Sequence, residues 1–128
     1  MPRKKSLVLT DHELRLMEVL WDLGNATVSQ VTNALPPPPL AYNTVLSTLR
    51  TLEQKGYVAH QETGRAFTYH ARVERDDAAK SAIHHVMARF FHNSPNALAV
   101  TLLDDVPLSD ADRKHLHTLL ARTAKDHT

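Results

Sequence analysis

Five side chains between Tyr42 and Leu52 carry most of the chemistry this chain offers, and it is hydrogen-bonding chemistry. Asn43, Thr44, Ser47, Arg50 and Thr51 lie opposite Val45, Leu49 and Leu52, which recur at i, i+4 and i+7 and so share one face of a 3.6-residue period. The polar face is short and contains no carboxylate. It can therefore approach phosphate oxygens and base edges without charge repulsion or bulk. Tyr42, at the start of the same segment, is placed for a phosphate contact, and Arg50 has the longest reach. A second cation, Arg65, comes after Thr63-Gly64 between two alternating segments, where a guanidinium can grip a phosphate or enter a groove. Together Tyr42, Asn43, Thr44, Ser47, Arg50, Thr51 and Arg65 read as a surface for double-stranded DNA.

Other chemistry is poorly supported. The chain contains no H-E-x-x-H, no Gly-rich phosphate loop and no G-x-S-x-G elbow, so no enzyme is expected. Asp104 and Asp105 are adjacent, and neighbouring side chains rarely converge as an acid/base pair. The absence of cysteine excludes disulfides, thiolate metal sites and a Cys nucleophile. Nine histidines invite a metal reading, above all His84-His85 with His92, and His115 with His117. Helical ligand pairs sit three or four residues apart, whereas these are i, i+1 and i, i+2 neighbours or two turns apart. The expectation is solvated or interface histidines, no metal and no cofactor. A metal- or pH-responsive regulator remains the alternative, as does a domain that docks a protein on the polar face.

The elements that must position these residues are legible from caps and periodicity. Thr10 to Glu13 is a T-x-x-E capping box leading into Leu14, Met17, Leu20 and Trp21, with Gly24 as the stop. Thr27 to Gln30 is a second box, and Val28, Val31 and Leu35 form one face of a short helix that the prolines at 36 to 39 end. That proline run reads as a stiff turn rather than a linker or an SH3-type ligand. The Tyr42 helix stops at Lys55-Gly56, a cation for the helix dipole and a glycine for the left-handed cap. Tyr57-Val58-Ala59-His60 and Phe67-Thr68-Tyr69-His70 then alternate as a β-hairpin with Arg65 at its tip. Helix, short helix, turn, third helix and hairpin make a winged helix, expected over residues 1–72. Those residues hold eight Lys and Arg against six Asp and Glu, including Arg3-Lys4-Lys5 as a basic arm; residues 73–128 hold seven against eight.

The second half, 73–128, reads as helical throughout. Asp76-Asp77 opens a helix with Ala79, Ile83, Val86, Met87, Phe90 and Phe91 along one side. Ser94-Pro95 opens another whose Leu98, Val100, Leu102 and Leu103 leave almost no polar side, so it must be buried on several sides. Ser109 to Asp112 opens a last one striped by Leu116, Leu119, Leu120 and Thr123. Three short helices rarely bury enough apolar surface alone, so a homodimer is expected through Ile83, Val86, Met87, Phe90, Phe91, Leu98, Leu102, Leu116, Leu119 and Leu120. The fold class is thus mostly α with a small β-hairpin wing, a winged helix-turn-helix domain plus a C-terminal helical dimerisation region. With no signal peptide and no long apolar run, the expected location is cytoplasmic.

With Leu9-Thr10, Glu13, Met17, Leu20-Trp21, Val28, Val31, Leu35, Tyr42, Thr44-Val45, Leu49, Leu52, Lys55-Gly56, Gly64-Arg65, Phe67 and Tyr69 in place, the chain resembles the penicillinase repressor family over nearly its whole length. The resemblance implies a repressor that binds an inverted-repeat operator as a homodimer. It also implies a membrane-bound sensor protease as a partner, which cuts the C-terminal region at a bond matching Thr101-Leu102 and so relieves repression. Two departures stand out. Many members carry a basic residue where this chain has Thr51, its arginine being Arg50, and copper-responsive relatives carry a C-terminal cysteine motif that is missing here.

Overall fold

Both capping boxes form as the sequence predicts, and they set where the first two helices begin. The structure, a computed structural model, describes residues 8–126, so the Arg3-Lys4-Lys5 arm lies outside the described residues. In α1 (Asp11–Leu23) the Thr10 hydroxyl accepts from the Glu13 amide at 3.2 Å, and the Glu13 carboxylate accepts from the Thr10 amide at 2.8 Å. Thr27 and Gln30 make the same reciprocal pair at the start of α2 (Val28–Ala34). Two orphan amides are satisfied at each start. Gly24 closes α1 at φ 83°, its amide donating to the Leu20 carbonyl.

Between these helices lies a strand that the sequence pattern does not announce, β1 (Asn25–Thr27). It is only three residues long and ends on the residue that caps α2, so no alternation reveals it. α3 (Tyr42–Lys55) comes after the proline turn and ends at Gly56, which takes the left-handed conformation. The hairpin is β2 (Val58–Thr63) and β3 (Ala66–Ala71), each longer than its sequence signal. Thr63 pairs with Ala66, leaving Gly64-Arg65 as a two-residue turn. Gly64 is at φ 65° while Arg65 is not left-handed, the pattern of a type II′ turn with glycine first. β1 joins on the far side of β3, giving the order β1-β3-β2.

The core lies between α1, α2, α3 and the sheet. Leu16, Met17, Leu20, Val31, Val45, Leu49 and Leu52 are fully buried, with Tyr57, Val58 and Tyr69 sealing the sheet side. The α1 stripe differs from expectation. Leu16 and Val19 are buried, whereas Leu14 is exposed and Trp21 half-buried. Helices and sheet both press on α1, so its buried arc is wider than one stripe and is turned away from Leu14. Trp21 instead donates from its indole to the Val73 carbonyl at 2.9 Å.

Lys55 sits in the last turn of α3 as expected and also makes a contact that the sequence does not announce. Its ammonium lies 2.8 Å from the buried Glu13 carboxylate and 3.2 Å from the Val8 carbonyl, with the Lys55 side chain 9% exposed. One ion pair therefore ties the start of α1 to the end of α3.

The remaining helices are α4 (Arg75–Phe90), α5 (Pro95–Asp105) and α6 (Asp110–Asp126). Ser94 caps α5 by accepting from the Ala97 amide, with Pro95 in the first turn, and Ser109 does the same for Asp112 at α6. His92 and Asn93, at φ 51° and 60°, make a left-handed link between α4 and α5. The chain divides into two compact units, Met1–His85 and Val86–Thr128, with the division inside α4, past residue 73, where the helical region is expected to begin. In the first unit Arg75 pairs with Glu18 at 2.9 Å and lies over the Trp21 ring, and Ala78 is buried.

Among the described residues none after Ala78 is buried. The expectation that α5 is buried on several sides is not met within one chain, since Val100, Leu102 and Leu103 are all about half exposed. α5 and α6 border an apolar groove lined by Ala99, Leu102, Leu103, Val106, Leu116 and Leu120. Among the described residues of this second unit, no further element covers it.

Candidate nucleic-acid interface

α3 presents its predicted polar face outward because Val45, Leu49 and Leu52 hold the opposite side in the core. Tyr42, Asn43, Ser47 and Arg50 are exposed, and Thr44 and Thr51 are half-buried at the margins. Three hydroxyls along this helix donate to its own carbonyls. Ser47 donates to the Thr44 carbonyl at 3.1 Å, Thr48 to the same carbonyl at 2.7 Å, and Thr51 to the Ser47 carbonyl at 3.1 Å. Arg65 stands exposed at the turn of the wing, apart from the α3 cluster.

The wing is held against α3 by side chains that the sequence pattern does not single out. His60 Nδ1 on β2 lies 2.6 Å from the Glu53 carboxylate on α3, and the His60 ring meets Phe67 edge-on at 5.0 Å and Tyr69 at 5.6 Å. Alternation along β2 places His60 on the α3 side with Val58, which is the only sequence signal for this contact. Burial, with Glu53 nearby, pushes the Tyr69 hydroxyl above its usual range, and burial, with Glu13 nearby, does the same for Tyr57. Both phenols stay uncharged at neutral pH.

Thr48, Thr10 and His12 are also brought to the face. They join Ser47 and Thr51 around a shallow polar depression where the first turn of α1 meets α3. Only the fold connects residues so far apart in the chain. Among the described residues, no cluster of three or more His, Cys, Asp or Glu is placed to hold a metal ion, and no helix is long and apolar enough to cross a membrane. Asp104 and Asp105 occupy the last turn of α5, and the helix end is closed by the Val106 amide on the Leu102 carbonyl, not by a carboxylate.

A third helix turned outward beside an arginine-tipped hairpin, on a core of two further helices, is the architecture of winged-helix DNA-binding regulators. Residues 9–122 match the penicillinase repressor family. The chain belongs to that family and is a DNA-binding transcriptional repressor, not an enzyme. It is similar to the penicillinase repressor of Bacillus licheniformis, at 25% identity over 118 residues that cover 91% of this chain and 92% of that protein. The solution structure of the DNA-binding domain of the repressor BlaI is 28% identical, with a TM-score of 0.51, covering 59% of this chain and 93% of that one. A complex structure of hsRosR-S4, 20% identical with a TM-score of 0.54 over 94% of this chain and 93% of that one, shares the fold.

Proposed function

We propose that the protein represses transcription by binding an inverted-repeat operator as a homodimer, each protomer inserting α3 into the major groove and laying its wing along the backbone or minor groove. The outer face of α3 from Tyr42 to Thr51, which carries no carboxylate, is the observation that carries this reading. On this reading Asn43, Thr44, Ser47 and Thr51 contact base edges and phosphates. Tyr42 and Arg65 contact phosphates, and Arg50 makes the long-reach contact. Uncovered leucines on α5 and α6 support the dimer, because a second copy supplies the missing layer. Two wings on half-sites about 34 Å apart, or a multiple of that, bind together at high effective concentration. The site of action is the cytoplasm, where the operator is.

Relief of repression comes from losing the second copy. Disruption or cleavage of the C-terminal region by a membrane-bound sensor protease would turn bivalent binding into monovalent binding. The Thr101-Leu102 bond is exposed but helical, with the Thr101 hydroxyl bonded to the Ala97 carbonyl, so α5 must open locally before a protease can hold it extended.

Fluorescence anisotropy against the protein's own upstream intergenic duplex and a scrambled duplex, titrated across salt, tests the reading. Tight binding to the native fragment alone, with two protomers per site and a steep fall of affinity with salt, is expected. Equal weak binding to both duplexes with a flat salt response would point to a protein partner on the α3 face. In the same assay Arg65→Ala should weaken both duplexes alike and flatten the log–log salt slope by about one unit. An unchanged slope removes Arg65 from the backbone contacts.

A further inference from the structure

We propose that Arg15 of α1 is a positioning residue for DNA reading, acting on α3 through the proline connection and not by touching DNA. The inference rests on the proposed DNA-reading role of the α3 face. The connection from α2 to α3 has an unusual deficit, because Pro36 to Pro39 contribute four carbonyls and no amide hydrogen. It cannot close on itself with the backbone hydrogen bonds that fix ordinary turns. The donor comes from outside. Arg15 Nη2 donates to the Pro36 carbonyl at 2.7 Å and also to the Pro38 carbonyl. One guanidinium on the core-anchored α1 thus holds two points of a segment that is otherwise exposed.

The start of α3 makes this hold consequential. Ala41 caps α3 and offers no side-chain hydrogen bond, whereas Thr10, Thr27 and Ser94 each cap their helices with a hydroxyl. The entry into α3 therefore has two kinds of anchor, the half-buried Leu40 and the Arg15 clamp. Tyr42 and Asn43, the first residues of the reading face, come directly after it. Loss of the clamp leaves the core of α3 in place and loosens its first turn, where a displacement on the order of 1 Å is enough to spoil hydrogen bonds to base edges.

The test is Arg15→Gln in the full-length protein, a substitution that keeps the first part of the stem and a polar end. In DNA-free protein, amide hydrogen exchange over residues 45–47, the first amides bonded within α3, should speed up several-fold while residues 49–55 are unchanged. Affinity for the native upstream duplex should fall roughly tenfold, with scrambled-duplex affinity and salt slope unchanged. Unaltered exchange at the start of α3 overturns the proposal. So does an equal loss on both duplexes with a slope reduced by about one, which would make Arg15 a phosphate contact. If the unsubstituted protein shows no preference for the native duplex, the operator reading fails, and the exchange measurement still decides the role of Arg15.

Discussion

Lys55→Met is expected to lower the stability of the winged-helix unit by about 3–5 kcal/mol. The methionine fills nearly the same volume. It leaves Glu13 buried, still bonded by Thr10 but without the Lys55 counter-charge. Thermal or urea unfolding followed at Trp21, the sole tryptophan, measures the loss. Glu13→Leu combined with Lys55→Met should recover most of it, because a matched apolar pair carries no unpaired charge. A double variant as unstable as the single one would show that the cost lies in packing.

The same pair sets an acid limit. Burial pushes the Glu13 carboxyl upward most strongly, but hydrogen bonds from Lys55 and Thr10, together with the Lys55 charge, outweigh it and hold the group below its usual 4.5. A carboxyl depressed in the folded state contributes stability that is complete above its unfolded value and is lost as pH falls through the folded one. The stability that the pair gives the wild type, read against the Glu13→Leu, Lys55→Met double variant in which the carboxyl is gone, should therefore be flat near neutrality and shrink below a pH of about 4.5. An advantage that persists unchanged at lower pH would contradict the pairing.

Leu116→Asp with Leu120→Asp is expected to produce monomers and to lower affinity for a full operator about 10²- to 10⁴-fold, the gain that linking two sites provides. Both leucines are exposed in a single chain, Leu120 by 69%. For a monomer such changes would be nearly neutral, within about 0.5 kcal/mol. For a dimer they bury carboxylates in the interface. Light scattering reports the assembly, and anisotropy on full and half sites separates lost bivalency from a damaged reading head. Half-site binding should not change. Wild-type monomers at micromolar concentration, or full-site affinity preserved in the variant, would sink the dimer reading.

The parts of this fold that are legible in the sequence are those decided locally. Thr10/Glu13, Thr27/Gln30 and Ser94-Pro95 mark helix starts by bonds within one turn, and Gly56 and Gly64 mark conformations that few other residues adopt. The outward face of α3 is legible for a similar reason, since Val45, Leu49 and Leu52 alone fix which side is buried. The features that escape depend on distant partners. β1 exists because β3 offers it a ladder, and Lys55 turns inward because Glu13 waits there. Leu14 is exposed because four other elements contact α1 from other directions. The His60–Glu53 contact and the Arg15 clamp are likewise products of tertiary approach, with no trace in periodicity.

The hydroxyls of α3 carry a further consequence for which bases suit this surface. On the proposed reading, Ser47 and Thr51 turn lone pairs outward for as long as their hydroxyls donate to the helix carbonyls that lie 3.1 Å away. In a major groove those lone pairs match the amino groups of cytosine and adenine, and they are mismatched to the O6 and N7 of guanine. Asn43 adds an amide with both polarities, leaving Arg50 as the long donor suited to a guanine.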